Sequence, residues 1–395
     1  MSRASARQSR HAAAHLPHWA DLLSLGQLSE GKTLIRKALV TTLAVGGLVA
    51  AVPVNGAPED AVAREMAATA ALNDPKLQAL AKKAFSEVEA LAAKGDPKAL
   101  TFMGLSYQLG LGAPKDPAKA VAWFARAAQA NEPIGQFHYG LALHNGDAGA
   151  KDPVAAVSWL RKASAQGNVE ATTMLGLAYY SGDGVPVDKI EATRLLADAA
   201  SKKNAQALAM LGAIYLNGWG VTADPERGLN LLKEGAERGS RTAMFQIAIA
   251  YSTGKGVPKD EVEARRWFGT AAALNMPEAQ VGLGLMLMSG MGGPKDESNA
   301  VELFTKAAQA KDSDAMLFLS KAYALGTGVA PDPQKSNRYL SDAVLAGNPM
   351  ACFIFGKKVE AEGDLKVALD LYRFAASKGL APAKEALDRL QAKKP

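Results

Sequence analysis

Three groups of residues in this 395-residue chain have a type and spacing that could do chemistry. The first is a Gly-x-Gly pair followed four residues later by aspartate, as in Gly182-Asp183-Gly184-Val185-Pro186-Val187-Asp188. A glycine-rich turn before a helix can cradle phosphate on its backbone N–H groups. Dinucleotide and P-loop sites also need a preceding strand, further glycines or a Gly-Lys-Ser/Thr, and none of these accompanies the pair. An aspartate at the start of the next helix would repel phosphate as well. The second group is His138 and His144, a conceivable metal pair. Six residues apart on one expected helix, they lie on poorly aligned faces. The third is Cys352, whose solitude excludes an intramolecular disulfide and any multi-cysteine metal site. It occupies a slot that holds Leu, Gln, Thr or Met elsewhere, which makes it an apolar filler rather than a nucleophile. There is no Gly-x-Ser-x-Gly elbow. The reading is therefore non-enzymatic, with no catalytic residue, no metal site and no cofactor.

The elements that carry these residues recur. The first glycine of the pair stands at 110, 146, 182, 218, 254, 290 and 326, and the aspartate at 116, 152, 188, 224, 260, 296 and 332. A fixed period in the range of 20 to 50 residues marks a repeat architecture. Seven full 36-residue repeats occupy 97–348. Each holds two helices. Ala171, Leu175, Ala178 and Tyr179 form one helical face of the first, which ends at Gly182, where positive φ is wanted. The second begins at the repeated aspartate, an N-cap that is often followed by proline at N1, as in Asp116-Pro117. Where proline is absent, Glu191 and Glu263 stand three residues after Asp188 and Asp260, close to a capping box. Within the second helix, a small slot (Ala120, Ala156, Ala192, Gly228, Ala264, Ala300, Ser336) precedes by four residues a large one (Phe124, Leu160, Leu196, Leu232, Phe268, Phe304, Leu340). Residues 58–96 read as N-terminal capping helices. Residues 349–395 read as a shortened eighth repeat, its Asp364 only 32 residues after Asp332, with a C-terminal capping helix. The fold class is all-α, a solenoid of stacked helix pairs.

Ahead of this array, residues 1–57 form a leader. Lys32, Arg36 and Lys37 precede an apolar run at 38–52, the pattern of a secretory signal peptide. That run is shorter than the roughly 20 residues that span a bilayer. The expected location is periplasmic or secreted; an N-terminal membrane anchor and an organelle presequence are the alternatives. The net charge of +6 is concentrated here, because the leader holds six Lys/Arg against Asp21 and Glu30. The rest is nearly neutral, and nothing suggests a nucleic-acid partner.

The pattern Ala-x3-Leu-Gly-x2-Tyr-x2-Gly-x-Gly-Val-x2-Asp, carried by Ala171, Leu175, Gly176, Tyr179, Gly182, Gly184, Val185 and Asp188, resembles the Sel-one-like repeat of the tetratricopeptide-like superfamily. The resemblance covers about 97–380. The second repeat departs from it, with Gly149 displacing the second glycine and Leu143 for tyrosine; the fifth has Ala248 and the seventh Ser320 for the helix glycine. The resemblance implies a right-handed superhelix that acts in protein–protein interaction. It further implies a scaffold or regulatory adaptor of the bacterial cell envelope, with a protein or peptide partner that could be a membrane protein. Two alternatives stay open: a hydrolase acting on cell wall or β-lactams, and a secreted host-interaction factor. The cysteine-rich members reported to act on β-lactams carry paired cysteines in each repeat, which this chain lacks.

In tetratricopeptide arrays one stripe of the first helix lines a concave groove. Here that stripe reads Thr101/Leu105/Gln108, Phe137/Leu141/His144, Thr173/Leu177/Tyr180, Ala209/Ala213/Leu216, Phe245/Ile249/Ser252 and Val281/Leu285/Met288. The middle slot is expected to pack neighbouring first helices together, and the outer slots to face the groove. The candidate partner-binding residues are Phe137, His144, Thr173, Tyr180, Leu216, Phe245, Ser252 and Met288.

Overall fold

A computed structural model describes residues 75–392, so the leader, residues 58–74 of the expected N-terminal cap and the last three residues lie outside it. The described residues form 18 α-helices and no strand. They divide into two compact units, one up to Ile247 with Lys255–Val257, the other comprising Ala248–Gly254 and the chain from Pro258 on.

The first unit contains α1 (Pro75–Ala93), α2 (Pro97–Leu109), α3 (Pro117–Gln129), α4 (Pro133–Asn145), α5 (Pro153–Ala165), α6 (Val169–Ser181), α7 (Lys189–Ser201), α8 (Ala205–Asn217) and α9 (Pro225–Glu237). Helix α10 (Arg241–Thr253) is divided between the units at Ile247. The second unit continues with α11 (Glu261–Ala273), α12 (Pro277–Ser289), α13 (Glu297–Gln309), α14 (Ser313–Leu325), α15 (Pro333–Leu345), α16 (Pro349–Ala361), α17 (Leu365–Ser377) and α18 (Ala381–Ala392). Within each unit, consecutive helices pack pairwise, first helix on second and second on the next first.

Both ends of the long joint are set by local chemistry. Gly182 takes φ of +79°, ends α6 and donates its N–H to Ala178 O. Asp188 then accepts from the N–H groups of Ile190 and Glu191. Its own N–H donates back to Tyr179 O, which closes the loop over nine residues. The same return bond recurs from Asp116 to Tyr107 and from Asp332 to Tyr323. The expected capping boxes do not form as such. Glu191 instead accepts two bonds from Arg194, and Glu263 pairs with Arg266. The cap N–H groups are already used, Asp188 on Tyr179 O and Asp260 on Tyr251 O, and an arginine three residues on offers the glutamate a charged, forked donor instead.

The short joint between repeats follows a second rule. Its caps are Asp96, Glu132, Asn168, Asn204, Asp312 and Asn348, each bonded to the N–H three residues on. Just before them the backbone turns left-handed, at Gly167 and Gly347 but also at Asn131, Lys203 and Lys311, and Asn275 does the same before Met276, which makes no side-chain cap bond.

The core is built from the small and large slots. Phe304 is 0% exposed. Gly284, on the first helix of the same repeat, makes room for it: an added Cβ would stand 2.5 Å from the ring. Gly104 and Phe124, Gly176 and Leu196, and Gly356 and Tyr372 repeat the relation. In the fifth repeat Ala248 takes the glycine slot, and the Phe268 ring lies against Gly282 of α12, where an added Cβ would meet it at 2.7 Å. A glycine lost on one helix is answered by a glycine on the next.

One polar side chain in this core is unsatisfied. Ser106 is 0% exposed and its Oγ has no hydrogen-bond partner, in a slot that holds Ala142, Ala178, Ala250 and Ala322 in other repeats. Ser106→Ala should therefore raise stability by about 1 kcal/mol, read as a higher urea midpoint.

Candidate functional site

The stripe on the first helices divides differently from the expectation. Thr173 is 1% exposed, with its hydroxyl donating to Val169 O, and Leu216 is 2% exposed. Neither side chain is available to a partner in this arrangement. Thr101, Ala209 and Val281 are buried too, and Thr101 donates to the buried carboxylate of Glu132 at 2.6 Å. The middle slot is more open than this first outer slot and about as open as the second, where Gln108 is exposed and His144, Tyr180, Ser252 and Met288 are half-buried. Leu105, Leu141, Leu177 and Ile249 are half-buried, Leu285 is 36% exposed, and Ala213 alone is buried. The reason is rotation. Slots four apart on a helix differ by about 40° around the axis. The first outer slot is thereby turned toward neighbouring helices, while the middle slot shares the free face with residues such as Glu170 and Ser181.

The other candidates are partly exposed and have defined neighbours. Phe137 packs on Leu160, Ala163 and Ala171. Tyr180 packs beside the cluster around Leu208 and Leu211, with the half-exposed Trp219 ring 6.3 Å away and Lys189 Nζ 5.8 Å over its face. Burial raises the Tyr180 hydroxyl pKa, so it stays protonated. His144 Nδ1 stands 3.0 Å from Asp183 Oδ2, which links the end of α4 to the long joint of the next repeat. Phe245 is half-buried on α10. Ser252 donates to Ile249 O, and Met288 packs at the edge of the Phe304 cluster.

The residues first read for chemistry have structural settings. His138 is stacked on Phe124 at 4.5 Å and edge-on to Phe137 at 5.1 Å. Burial pushes its pKa down to about 4 from 6.5. The unfolded imidazole binds a proton below 6.5 but the folded one only near 4, so this contribution is intact above 6.5 and declines as pH falls toward 4. The loss is on the order of 2–3 kcal/mol. His138→Met, which copies Met174 and Met210 in the same slot, should flatten the urea midpoint between those pH values. Cys352 is buried and its thiol pKa is raised by that burial, the opposite of an activated nucleophile. Among the described residues no group of three or more His, Cys, Asp or Glu could hold a metal ion. A shallow depression of about 380 Å³ is lined by Asp224, Glu226, Arg227, Asn230, Leu231 and Glu234. Glu234 there is paired with Lys203 and Arg238, and Arg227 rests on Tyr215. Among the described residues no helix is long and apolar enough to cross a membrane.

The second glycine of the pair is the functional residue for assembly that sequence reasoning missed. Gly184 lies against Pro153, where a Cβ would overlap the carbonyl oxygen. Gly220 lies against Lys189, Gly256 against Pro225, Gly292 against Glu261 and Gly328 against Glu297. Each partner is the first residue of the preceding repeat's second helix. The 36-residue spacing of both was the available signal. Gly149, displaced in the second repeat, has nothing within 4 Å.

Helix pairs joined by capped loops, stacked through paired glycine contacts and showing a partly apolar face on their first helices, define a helical repeat protein. The family model for the Sel1 repeat matches residues 97–132, 133–168, 169–204, 205–240, 242–276, 277–312, 313–348 and 345–380. The chain belongs to the Sel1 repeat family. It is similar to c5321, a protective antigen of uropathogenic Escherichia coli strains displaying an SLR fold, at 28% identity over 77% of this chain and 66% of that one, with a TM-score of 0.51. It thus spans just under two thirds of that relative. It is also similar to a Sel1 repeat protein from Oxalobacter formigenes, at 25% identity over 87% and 92% of the two chains, with a TM-score of 0.51. No curated protein matches the sequence.

Proposed function

We propose that this protein is a non-catalytic adaptor of the cell envelope that holds a protein or peptide partner against the free faces of its first helices. The observation that carries this reading is found in each unit separately, as half-buried or exposed apolar side chains at one slot: Leu105, Leu141 and Leu177 in the first unit, Ile249 and Leu285 in the second. Apolar side chains aligned at an open face mark an interaction surface more often than scattered ones do. Sel1 repeat proteins in general mediate protein–protein interaction, which supports the class but names no partner. Placement in the envelope rests on the basic cluster and apolar run at 32–52.

Photo-crosslinking residues placed at Leu177 and Leu285 in the native cell test the proposal, with Ser158, exposed on α5, as control. A discrete adduct is expected from the two first-helix positions and not from Ser158. Equal labelling from all three would overturn the reading. Leu141→Glu and Leu177→Glu should abolish the adduct with little change in thermal midpoint. Phe137→Ala and Tyr180→Ala should lower that midpoint as well, because both rings pack on core clusters. Cell fractionation separates an envelope protein from a secreted host-directed factor, and nitrocefin turnover would revive the hydrolase alternative.

A further inference from the structure

The free face changes character along the second unit. At the middle slot, four consecutive repeats carry Ile249, Leu285, Lys321 and Lys357 at 36-residue spacing. The two lysines are exposed. Lys321 Nζ lies 5.7 Å over the Phe318 ring and Lys357 Nζ 5.8 Å over the Phe353 ring, each from the same helix. Those aromatic faces hold the side chains on the surface without neutralising them. Neither ammonium is paired with a carboxylate among the described residues. Asp314, two turns away on α14, already accepts from Asn348 Nδ2 at 2.7 Å. The first unit has no such feature, since its middle slot reads Leu105, Leu141, Leu177 and Ala213.

We infer that this face binds an amphipathic α-helix of a partner protein, with apolar residues over Ile249 and Leu285 and acidic residues over Lys321 and Lys357. This rests on the interaction reading above and specifies the partner's chemistry. With consecutive first helices set at the usual interval between neighbouring helices, on the order of 10 Å, the four slots step along the stack at roughly that distance. A helix rises about 10 Å in seven residues, and residues seven apart share a face. An extended chain covers the same distance in about three residues, which alternate between faces. At that interval a helix presents every anchor to the row, and an extended chain every second one. The partner's sequence would read apolar, apolar, acidic, acidic at seven-residue intervals, in one direction or the other. The two unpaired cations favour acidic residues at the lysine end of the row, while the exposed Glu278, seven residues before Leu285, confines that preference to this end.

Selection of a phage-displayed library of helical peptides, randomised at four positions seven apart, tests this on the purified protein. Enrichment of Asp or Glu at two adjacent positions and apolar residues at the other two is expected. The binders should weaken at least ten-fold on the Lys321→Glu/Lys357→Glu protein and at raised salt. Selection on that variant should turn the acidic positions to Lys or Arg. Enrichment indifferent to the charge reversal, or a preference for basic helices, would overturn the inference. No enriched helix, with Leu177 and Leu285 still crosslinking a partner in the cell, would sink the inference and leave the adaptor reading standing. Loss of both would sink the two together. Circular dichroism and the thermal midpoint of the double variant, expected to match the parent because both lysines are exposed, guard against misfolding.

Discussion

Gly292→Ala is expected to lower the unfolding free energy of the second unit by about 2–5 kcal/mol. Two costs combine. At φ of +68° an alanine pays about 1–2 kcal/mol of left-handed strain. Its Cβ would also overlap the Glu261 carbonyl, and that backbone group is the first turn of α11, so it cannot swing aside as a side chain would. Overpacking of this kind costs about 1–3 kcal/mol or more. Gly149→Ala separates the two causes. It too carries a positive φ, of +125°, but nothing lies within 4 Å, so only backbone strain of about 1–3 kcal/mol should appear. Urea unfolding monitored by circular dichroism gives both numbers. Equal losses would mean that the second glycine is there for its backbone angle and not for close approach. In a stack where each repeat touches only its neighbours, weakening one interface should also broaden the transition.

Phe304→Ala is expected to cost about 3–5 kcal/mol. The ring is fully buried among Ala300, Leu319 and Ala322 and stacks on Phe318 at 5.3 Å. Its space exists because Gly284 has no side chain. Gly284→Ala should therefore be destabilising while the Phe304 ring is present and nearly harmless in the Phe304→Ala background. A double-mutant cycle reads that coupling directly, and residues in contact commonly couple by about 0.5–3 kcal/mol. Additive losses would show that the glycine serves the helix–helix approach and not the ring.

Much of the fold was legible because it is written locally. The aspartate caps, the left-handed glycine at the end of each first helix and the helical faces are all decided within one or two turns of chain, and the 36-residue period repeats them seven times. The candidate face was less legible. Thr173 and Leu216 sit on the same stripe as Tyr180 and Met288, yet they are buried. Helical periodicity says which residues share a side; how far the neighbouring repeat extends over that side depends on packing between helices distant in sequence. The reciprocal half of the capping boxes failed for a different, local reason: the cap N–H groups of Asp188 and Asp260 are taken by Tyr179 O and Tyr251 O, and Arg194 and Arg266 one turn on engage Glu191 and Glu263.

The Gly-x-Gly loop that first suggested phosphate chemistry shows where the division falls. The sequence by itself determined the loop's local role: glycine ends one helix, aspartate starts the next, and the acidic cap excludes an anion. It also determined the all-helical repeat and the family. Only the tertiary structure decided why there are two glycines, since the second meets the helix of the preceding repeat 31 residues earlier. It likewise decided that Gly282 answers Ala248, and that Leu177 and Leu285 are more open than Thr173 and Val281 four residues before them. Backbone conformation and capping are short-range and can be read from neighbours in the chain. Close approach and exposure are set by atoms that only the stacking brings together.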